Sequence, residues 1–576
     1  MPEISFNLIA LIIGIPLILW FTFERGMALM KFFQQEEYDG VRFIAWVKDI
    51  KAYDRRASLW LLAAALVGTL SQTLLSGSVG NVLAGAKYLT WPLMTLAFIH
   101  GAFRSRAMRK TSKKPLVMTA RAKRIFMVYM ALSAATLFFI LVAGGLAPKG
   151  EQYAVQVDMS GFSWLTLQYD WRVVTVALLL IAFVQALPAL LVFGNKFLEP
   201  AEERVKARFR AEAVEKFNKL QPRVIAITGS FGKTSTKHIL QHILSTAAPT
   251  LATPGSVNTD MGITRVIREQ LTPEHDYFIV EMGAYGPGSI ARLCTLTPPD
   301  VGMITAVGAA HYERFKSLET VARAKFELAE ATFKKDGEVV VSTDGIPPEL
   351  LAERMKAVPG RYISAGRTGD IALKDSTMTR DGLTLKVMDG TEEHILKAPL
   401  YGRHQAGNIV LAAAAARAIG LPWAAIKGAL ASMPQIRHRL EVSLGTDGPT
   451  LINDAYNSNP VGFAAALECL DVLVTDGGRR ILVTPGMVEL GEKHEEEHAA
   501  LGALAAKHAD IVLVVTPDRI PSFVSALNAA NDGSTTVMTF AKQEEAEAWV
   551  KANWRAGDAV LFENNLPDLY ESRVSF

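Results

Sequence analysis

Four uncharged stretches in the first 195 residues, 4–23 (ISFNLIALIIGIPLILWFTF), 57–76, 125–146 and 173–193, are each close to the roughly 20 residues a helix needs to cross a bilayer core. A fifth and weaker stretch, 82–102, holds Lys87 near its start. Only a segment that satisfies its own backbone hydrogen bonds can cross hydrocarbon, which restricts this part of the chain to helices. Five spans are expected. The first does not read as a cleaved leader, because it has no basic region ahead of it and no clear small-residue cleavage site.

Orientation follows from the basic residues. Segment 103–124 (FRSRAMRKTSKKPLVMTARAKR) holds nine Lys and Arg and no acid, so the positive-inside rule places it in the cytoplasm. Counting spans from there puts 24–56 inside, 147–171 outside, the N-terminus outside, and everything after about 195 in the cytosol, where ATP is found. The expected location is a membrane, crossed several times, with the rest of the chain cytoplasmic.

After the last span the composition becomes that of a soluble protein. The chain has 576 residues, too many for one ordinary domain, so two to four units are expected. A net charge of +3 gives no reason to expect a nucleic-acid partner. Cys294 and Cys469 lie far apart with no second Cys or His at ligand spacing. Two buried thiols in a reducing compartment are expected, not a disulfide framework or a zinc knuckle. Residues 199–220 are charged, but Val205, Phe209, Ala213 and Phe217 recur every four positions and make one helical stripe. This linker helix either lies on the membrane surface or packs on the next domain.

From 221 onward strands alternate with helices. VIAIT (224–228), YFIVEMGA (277–284), DVGMITAV (300–307) and EVVVS (338–342) read as strands, with helices at 233–245 and 317–334. After about 435 a second set begins, with strands at 450–453, 480–484, 510–515, 536–540 and 558–562. The fold class expected is α/β: a helical transmembrane domain (1–198), the linker helix (199–220), a central α/β domain with a phosphate-binding loop (221–434) and a C-terminal Rossmann-like α/β domain (435–576).

The chemistry starts at TGSFGKTS (228–235). A strand runs into a turn opened by Gly229 and closed by Gly232, and a helix follows. Backbone N–H groups of such a turn point at phosphate oxygens. Lys233 adds a positive charge for the terminal phosphates and Thr234 a hydroxyl for Mg²⁺; Ser230 and Ser235 belong to the same cradle. The strict G-x-x-x-x-G-K-[ST] pattern fails, since residue 227 is Ile. Glu281 closes the strand YFIVE, where a carboxylate beside a phosphate loop holds a metal or caps a helix. AAHYERFKS (309–317) puts His311 just after a strand, and Lys325 lies on the following helix.

In this order and spacing the pieces resemble the muramyl (Mur) ligase family, the ATP-dependent ligases that build the cell-wall peptide stem. The series runs TGSFGKTS, TPGSVNTDMG (253–262), VEMGA (280–284), AAHYERFKS, RAKFE (323–327), YGRHQAGNIVLAAAAA (401–416), IRHRLEV (436–442), LINDAYNSNP (451–460) and TPGMVELGEK (484–493). It covers roughly 221–576 and is most similar to the branch that adds D-alanyl-D-alanine. The resemblance implies catalytic roles for Lys233, His311, Lys325 and Arg439. It implies that Lys233 and Thr234 hold the ATP phosphates and one Mg²⁺, and that Glu281 and His311 are metal ligands. Lys325 would be carbamylated and help to hold a second Mg²⁺. His404 and Asn408 would lie near the base, Arg439 and Asp454 would contact phosphate and ribose, and Asn258, Thr259, Asn457 and Asn459 would lie along the substrates.

Three positions depart from the family pattern: Gln405 stands for an Asn, Lys316 for a common Gly, and Ser342–Asp344 for N-x-D. A larger departure is the membrane region in place of the family's UDP-binding domain, which leaves the muramoyl peptide either a soluble small molecule or a lipid-linked one. The reaction implied is amide formation through an acyl phosphate, by a chain acting as a monomer at the membrane. Two alternatives stand beside it: a membrane-anchored Mur-like synthase of a capsule polymer such as poly-glutamate, and a transport ATPase with the spans as permease. The latter would need an apolar run ending in Asp-Glu where this chain has FIVEMG. HEEEH (494–498) matches a zinc-protease signature but has no third ligand nearby, and reads as a polar helix face.

Overall fold

The computed structural model describes residues 6–564 apart from 50–51, 71–72, 76–77, 111–115, 147–151, 156–164, 169–170, 309–314, 316, 446–447, 456–458, 476 and 489. The chain divides into two compact units, one running to Val205 and the other from Lys206.

The first unit is helical, with helices at Phe6–Gln35, Gly40–Asp49, Arg55–Leu70, Ser78–Lys110, Ala120–Leu146 and the start of Trp171–Leu220. Among the described residues, Ile13–Gln35, Ala120–Gly144 and Val174–Leu220 are long and apolar enough to cross a membrane. The stretch expected to span at 57–76 is shorter as a helix: it ends at Leu70, and Thr73–Leu75 forms strand β1. β1 joins Gln152–Val155 (β2) and Leu165–Gln168 (β3) in an antiparallel sheet of order β1-β3-β2. That sheet brings together two connections that the charge count assigns to the same side of the membrane. The helices close on fully buried aromatic rings, among them Phe21, Phe32, Phe33, Phe43, Phe98 and Tyr129. Charge is buried with them: Arg109 reaches Glu24 at 2.9 Å, and Arg25 lies 3.8 Å from Asp54.

The charged stretch 199–220 continues without a break from the preceding apolar helix. Pro188 and Pro200 each withdraw a backbone donor but do not end it. Ala213 and Phe217 share a buried cluster with Ile263, Val266 and Ile267 of helix Asp260–Glu269. The Arg268 guanidinium stacks 4.0 Å from the Phe209 ring, and Lys216 Nζ donates to the Arg268 carbonyl at 2.8 Å. Of the two readings open for this stripe, packing on the next domain holds from Phe209 onward.

The second unit is built on two sheets. The larger has nine strands: Arg223–Thr228 (β4), Thr250–Ala252 (β5), Tyr277–Glu281 (β6), Val301–Ile304 (β7), Glu338–Ser342 (β8), Tyr362–Gly366 (β9), Ile371–Thr379 (β10), Gly382–Asp389 (β11) and Glu392–Ala398 (β12). Their order is β12-β11-β10-β9-β8-β7-β4-β6-β5. All pairings from β5 across to β10 are parallel, and only the β10–β11–β12 meander is antiparallel. β4, β6, β7 and β8 are apolar runs buried along nearly their whole length, as strands covered on both faces must be. The chain leaves β4 toward β5 and returns through β6 to β7 on the other flank of β4, so the strand order reverses beside β4. Open parallel sheets bind ligands at such a switch point, outside the carboxyl ends of the strands.

The smaller sheet contains Glu441–Ser443 (β13), Thr450–Asp454 (β14), Arg480–Thr484 (β15), Ile511–Val515 (β16), Thr536–Phe540 (β17) and Ala559–Glu563 (β18), in the order β13-β14-β18-β15-β16-β17. It is parallel except at β13. Five of its strands lie within one residue of the expected positions. Cys294 and Cys469 are both buried and free.

Candidate active site

The turn after β4 needs its glycines. Gly229 has φ 157° and Gly232 φ 81°. A Cβ on Gly229 would stand 1.9 Å from Thr305 Oγ1, and one on Gly232 would stand 2.6 Å from Asn408 Oδ1. The turn is pinned from the exit of β7: Ser230 N donates to the Ala306 carbonyl at 2.9 Å, Gly308 N to Ser230 Oγ at 2.9 Å, and the Thr305 hydroxyl to the Phe231 carbonyl. Gly232→Ala combines a left-handed backbone, which costs an L-residue roughly 1–2 kcal/mol, with that clash. The expected outcome is a lower melting temperature together with weakened ATP binding, read by calorimetry on the same sample. Unchanged ATP affinity would show that the turn does not face the nucleotide.

Helix Lys233–Ser245 begins at the turn. Lys233 Nζ folds back to donate to the Gly229 carbonyl at 2.6 Å, and burial lowers its pKa against the pull of Glu281. Ser235 is buried in the first turn. Thr234 Oγ1 donates to Glu281 Oε2 at 3.0 Å. The same oxygen meets Lys237 Nζ at 3.1 Å, and Asn258 Nδ2 donates to the other oxygen, Oε1, at 3.1 Å. Tyr285 hydroxyl donates to Asn258 Oδ1 at 3.2 Å, so the carboxylate and its amide neighbour are both held. Lys237 also donates to the Gly255 carbonyl.

Lys325, on helix Leu318–Phe333, is buried, and its pKa is held well below the usual lysine value, first by burial and then by the charge of Lys233. Two residues on, Glu327 accepts from Gly288 N at 2.6 Å and Ala291 N at 3.0 Å, tying this helix to the start of helix Ser289–Leu296. Asn408 is enclosed: Oδ1 accepts from Thr236 Oγ1 at 3.2 Å and Nδ2 donates to Gln405 Oε1 at 2.9 Å. Gln405, a departure from the family pattern, thus holds Asn408 against the phosphate-loop helix. His404 is half-buried, and its enclosed Nδ1 has no hydrogen-bond partner among the described residues. Arg439 is close enough to lower the pKa of Lys233 and to oppose the rise that burial causes at Asp454, whose Oδ1 accepts from Leu440 N at 3.2 Å.

Not every expected site residue joins this cluster. Thr259 caps helix Asp260–Glu269 through Gly262 N, and Asn459 caps helix Pro460–Leu473 in the same way. His311, Lys316 and Asn457 lie outside the described residues. The sequence does not single out Lys237 or Thr305, and marks Gln405 only as a mismatch. For Lys237 a signal was present: it stands one helical turn after Lys233, on the same face. The HEEEH histidines are engaged in local structure. His498 Nε2 accepts from Met487 N at 2.9 Å, its Nδ1 pairs with the His494 carbonyl at 2.7 Å, and His494 Nε2 lies 3.1 Å from the Arg519 carbonyl.

Residues 227–416 match the Mur ligase middle domain, and 438–563 match the glutamate ligase domain of Mur ligases. The UDP-N-acetylmuramoyl-tripeptide–D-alanyl-D-alanine ligase of Mycobacterium tuberculosis is 32% identical over 358 residues, which span 59% of this chain and 69% of that protein. The chain belongs to the Mur ligase family. The ligase of the same description from Escherichia coli is 33% identical over 316 residues, 54% of this chain and 68% of that protein. MurF of Thermotoga maritima, solved with ADP, superposes with a TM-score of 0.55 at 27% identity, over 64% of this chain and 82% of that one. MurF of Acinetobacter baumannii gives 0.54 at 26%, over 62% and 77%.

This Mur ligase is therefore an ATP-dependent enzyme that forms amide bonds, with ATP and Mg²⁺ as the family's requirements; the transport-ATPase reading falls. The residues present suit both. The glycine turn leaves room that a single Cβ would fill, and the orphaned His404 Nδ1 can take a hydrogen bond from a ligand. The Thr234 hydroxyl and Glu281 carboxylate converge as hard oxygen donors, the kind Mg²⁺ prefers. Beside them a cleft of about 600 Å³ is lined by Thr234, His238, Gly255, Arg437 and Arg439.

Burial pushes His238, His404 and His498 down to about 4. In the unfolded chain each takes a proton near 6.5. Between those values the unfolded state binds more protons, so stability falls as pH drops from about 6.5 to about 4. Asp454, raised to about 6, works the other way, because there the folded carboxyl protonates first. Three histidines outweigh one carboxylate. The melting temperature of the ligase unit should therefore be lower at pH 4.5 than at pH 7 by an amount of order ten degrees, by scanning calorimetry. An equal or higher value at the acid pH would contradict it.

Proposed function

We propose that this enzyme joins D-alanyl-D-alanine to the carboxylate of a muramoyl tripeptide at the cytoplasmic face of a bacterial plasma membrane, acting as a monomer. The observation that carries the reading is the convergence of Lys233, Thr234 and Glu281 at the switch point of the larger sheet. Residues 221–434 serve as the ATP-binding domain and 435–576 as the mobile C-terminal domain. The relatives' described activity supplies the substrates.

A carboxylate in water does not react with an amine until its oxygen becomes a leaving group. The tripeptide carboxylate oxygen attacks the γ-phosphorus of ATP, ADP leaves, and an acyl phosphate results. The dipeptide amine then attacks the acyl carbon, the tetrahedral intermediate collapses, and phosphate departs with the former carboxylate oxygen. Lys233 swings from the Gly229 carbonyl to the terminal phosphates, and Arg439 adds a second cation there. Asn408 keeps the turn in register, and His404 and Asp454 bind the nucleoside. Glu281, Thr234 and His311 would hold Mg²⁺, which would neutralise phosphate charge, and a carbamate on Lys325 would supply a further carboxylate-like ligand. Asn258, Thr259, Asn457 and Asn459 border the acceptor and the dipeptide. Closing the two domains over these groups excludes water, which would otherwise hydrolyse the acyl phosphate.

The membrane assignment is supported by the three long apolar helices and by large side chains left bare on them, Phe138 and Phe139 among them. Membrane residence makes both a UDP-linked and a lipid-linked tripeptide accessible. The test is ligation by the full-length protein in detergent, given ATP, Mg²⁺, D-alanyl-D-alanine and either form of the tripeptide. A mass increase of the tripeptide by the dipeptide less water, with stoichiometric ADP, supports the reading. ATP turnover indifferent to both substrates would end it.

A further inference from the structure

We propose that Lys237 is a resident counter-cation that occupies Glu281 until nucleotide arrives, and so ties metal entry to ATP. This rests on the reading of Glu281 and Thr234 as the Mg²⁺ site. Lys237 lies three residues after Thr234 and four after Lys233, so all three project from one face of helix Lys233–Ser245. Its side chain is 0% exposed and that of Glu281 1%. A carboxylate enclosed to that degree is costly unless an opposite charge and hydrogen bonds compensate it. Lys237 supplies the charge at 3.1 Å; Thr234 and Asn258 supply the bonds.

The position of the ammonium has a further effect. It sits on Oε2, the same oxygen that the Thr234 hydroxyl meets, which is where a cation bridging these two groups would have to bind. An ammonium has no lone pair to offer a metal, and its charge repels one strongly at this range in a buried site. It is also anchored: its second bond, to the Gly255 carbonyl, keeps it beside Glu281. A divalent cation alone meets a carboxylate already neutralised. A cation arriving with the negative charge of ATP phosphates does not face the same net repulsion. Lys237 is therefore a positioning residue: it touches neither reacting atom but decides when Glu281 is available.

The test uses the full-length protein in detergent and Mn²⁺ as a paramagnetic probe, with free Mn²⁺ followed by electron paramagnetic resonance. Without nucleotide, Lys237→Met and Lys237→Gln should each bind Mn²⁺ at least about tenfold more tightly than wild type. Adding Glu281→Gln to Lys237→Met should remove that gain. Unchanged or weaker binding in the single variants overturns the proposal. Should both variants fail to fold, Glu281→Gln alone carries the test. It should leave nucleotide-free Mn²⁺ binding unaltered, because Lys237 already blocks the site, yet weaken binding about tenfold once a non-hydrolysable ATP analogue is present. A tenfold loss without nucleotide overturns the role of Lys237 alone. No effect in either state means that Glu281 is not a metal ligand, and the site assignment falls with it.

Discussion

Lys233→Ala should lower ATP turnover by about three orders of magnitude while the protein stays folded and in the membrane fraction. Lys233 opens the helix that follows the glycine turn, and its ammonium bonds the Gly229 carbonyl within the turn itself. It is half-buried, so its charge acts at short range with less intervening water than at an open surface. Arg439 is near but comes from the segment leading into the smaller sheet and lines the cleft beside Thr234. Lys233 is the cation bonded to the turn itself. Its removal takes away a site charge and no part of the apolar core, so the fold should survive. ADP release per enzyme, together with fractionation and circular dichroism, checks both halves. Turnover within tenfold of wild type would move the phosphate site elsewhere.

Lys325→Ala should abolish ligation to a similar extent, by about two to three orders of magnitude. Burial, and then the neighbouring charge of Lys233, hold the Lys325 pKa well below the usual lysine value, which favours the neutral amine. A neutral amine is the form that attacks CO₂, losing a proton to give a carbamate. That product carries a negative charge next to Lys233, an attraction that the neutral amine does not supply. Two results should follow. Wild type stripped of CO₂ should lose activity and recover it with bicarbonate, and the inactive alanine variant should recover part of its activity with small carboxylic acids. A ¹³C-bicarbonate label at Lys325 by NMR gives a reading independent of turnover. An alanine variant of undiminished activity, or a wild type indifferent to CO₂, would refute the carbamate.

The phosphate turn was legible because its demands are local. Gly229 and Gly232 must take backbone angles or approaches that other residues resist, and Lys233 and Thr234 follow directly in the chain. Glu281 was legible by position, at the end of a strand that its apolar run identifies. The smaller sheet was legible to within a residue for most strands, because parallel strands covered on both faces are short apolar runs between turn residues. Lys237 and Thr305 were not read. What they do depends on partners at Glu281 and the Phe231 carbonyl, 44 and 74 residues away. Gln405 shows the limit well. In the sequence it is a mismatch; in the fold its side-chain carbonyl fixes the amide of Asn408. Thr259 and Asn459 show the converse, since residues expected along the substrates also cap helices.

Hydropathy along the chain was enough for a helical apolar region and an α/β remainder, residue type and spacing for a phosphate turn, and the ordered motifs, through the family they resemble, for an ATP-using ligase. Pairing was beyond them. The strand order that puts β4 between β6 and β7, and the closure of Lys237 and Thr234 on a single oxygen of Glu281, exist only once distant segments pack. Burial then decides which charges are neutral, which are paired and which are left to meet a ligand, since the surrounding solvent, and with it the cost of a charge, is settled by the packed neighbours.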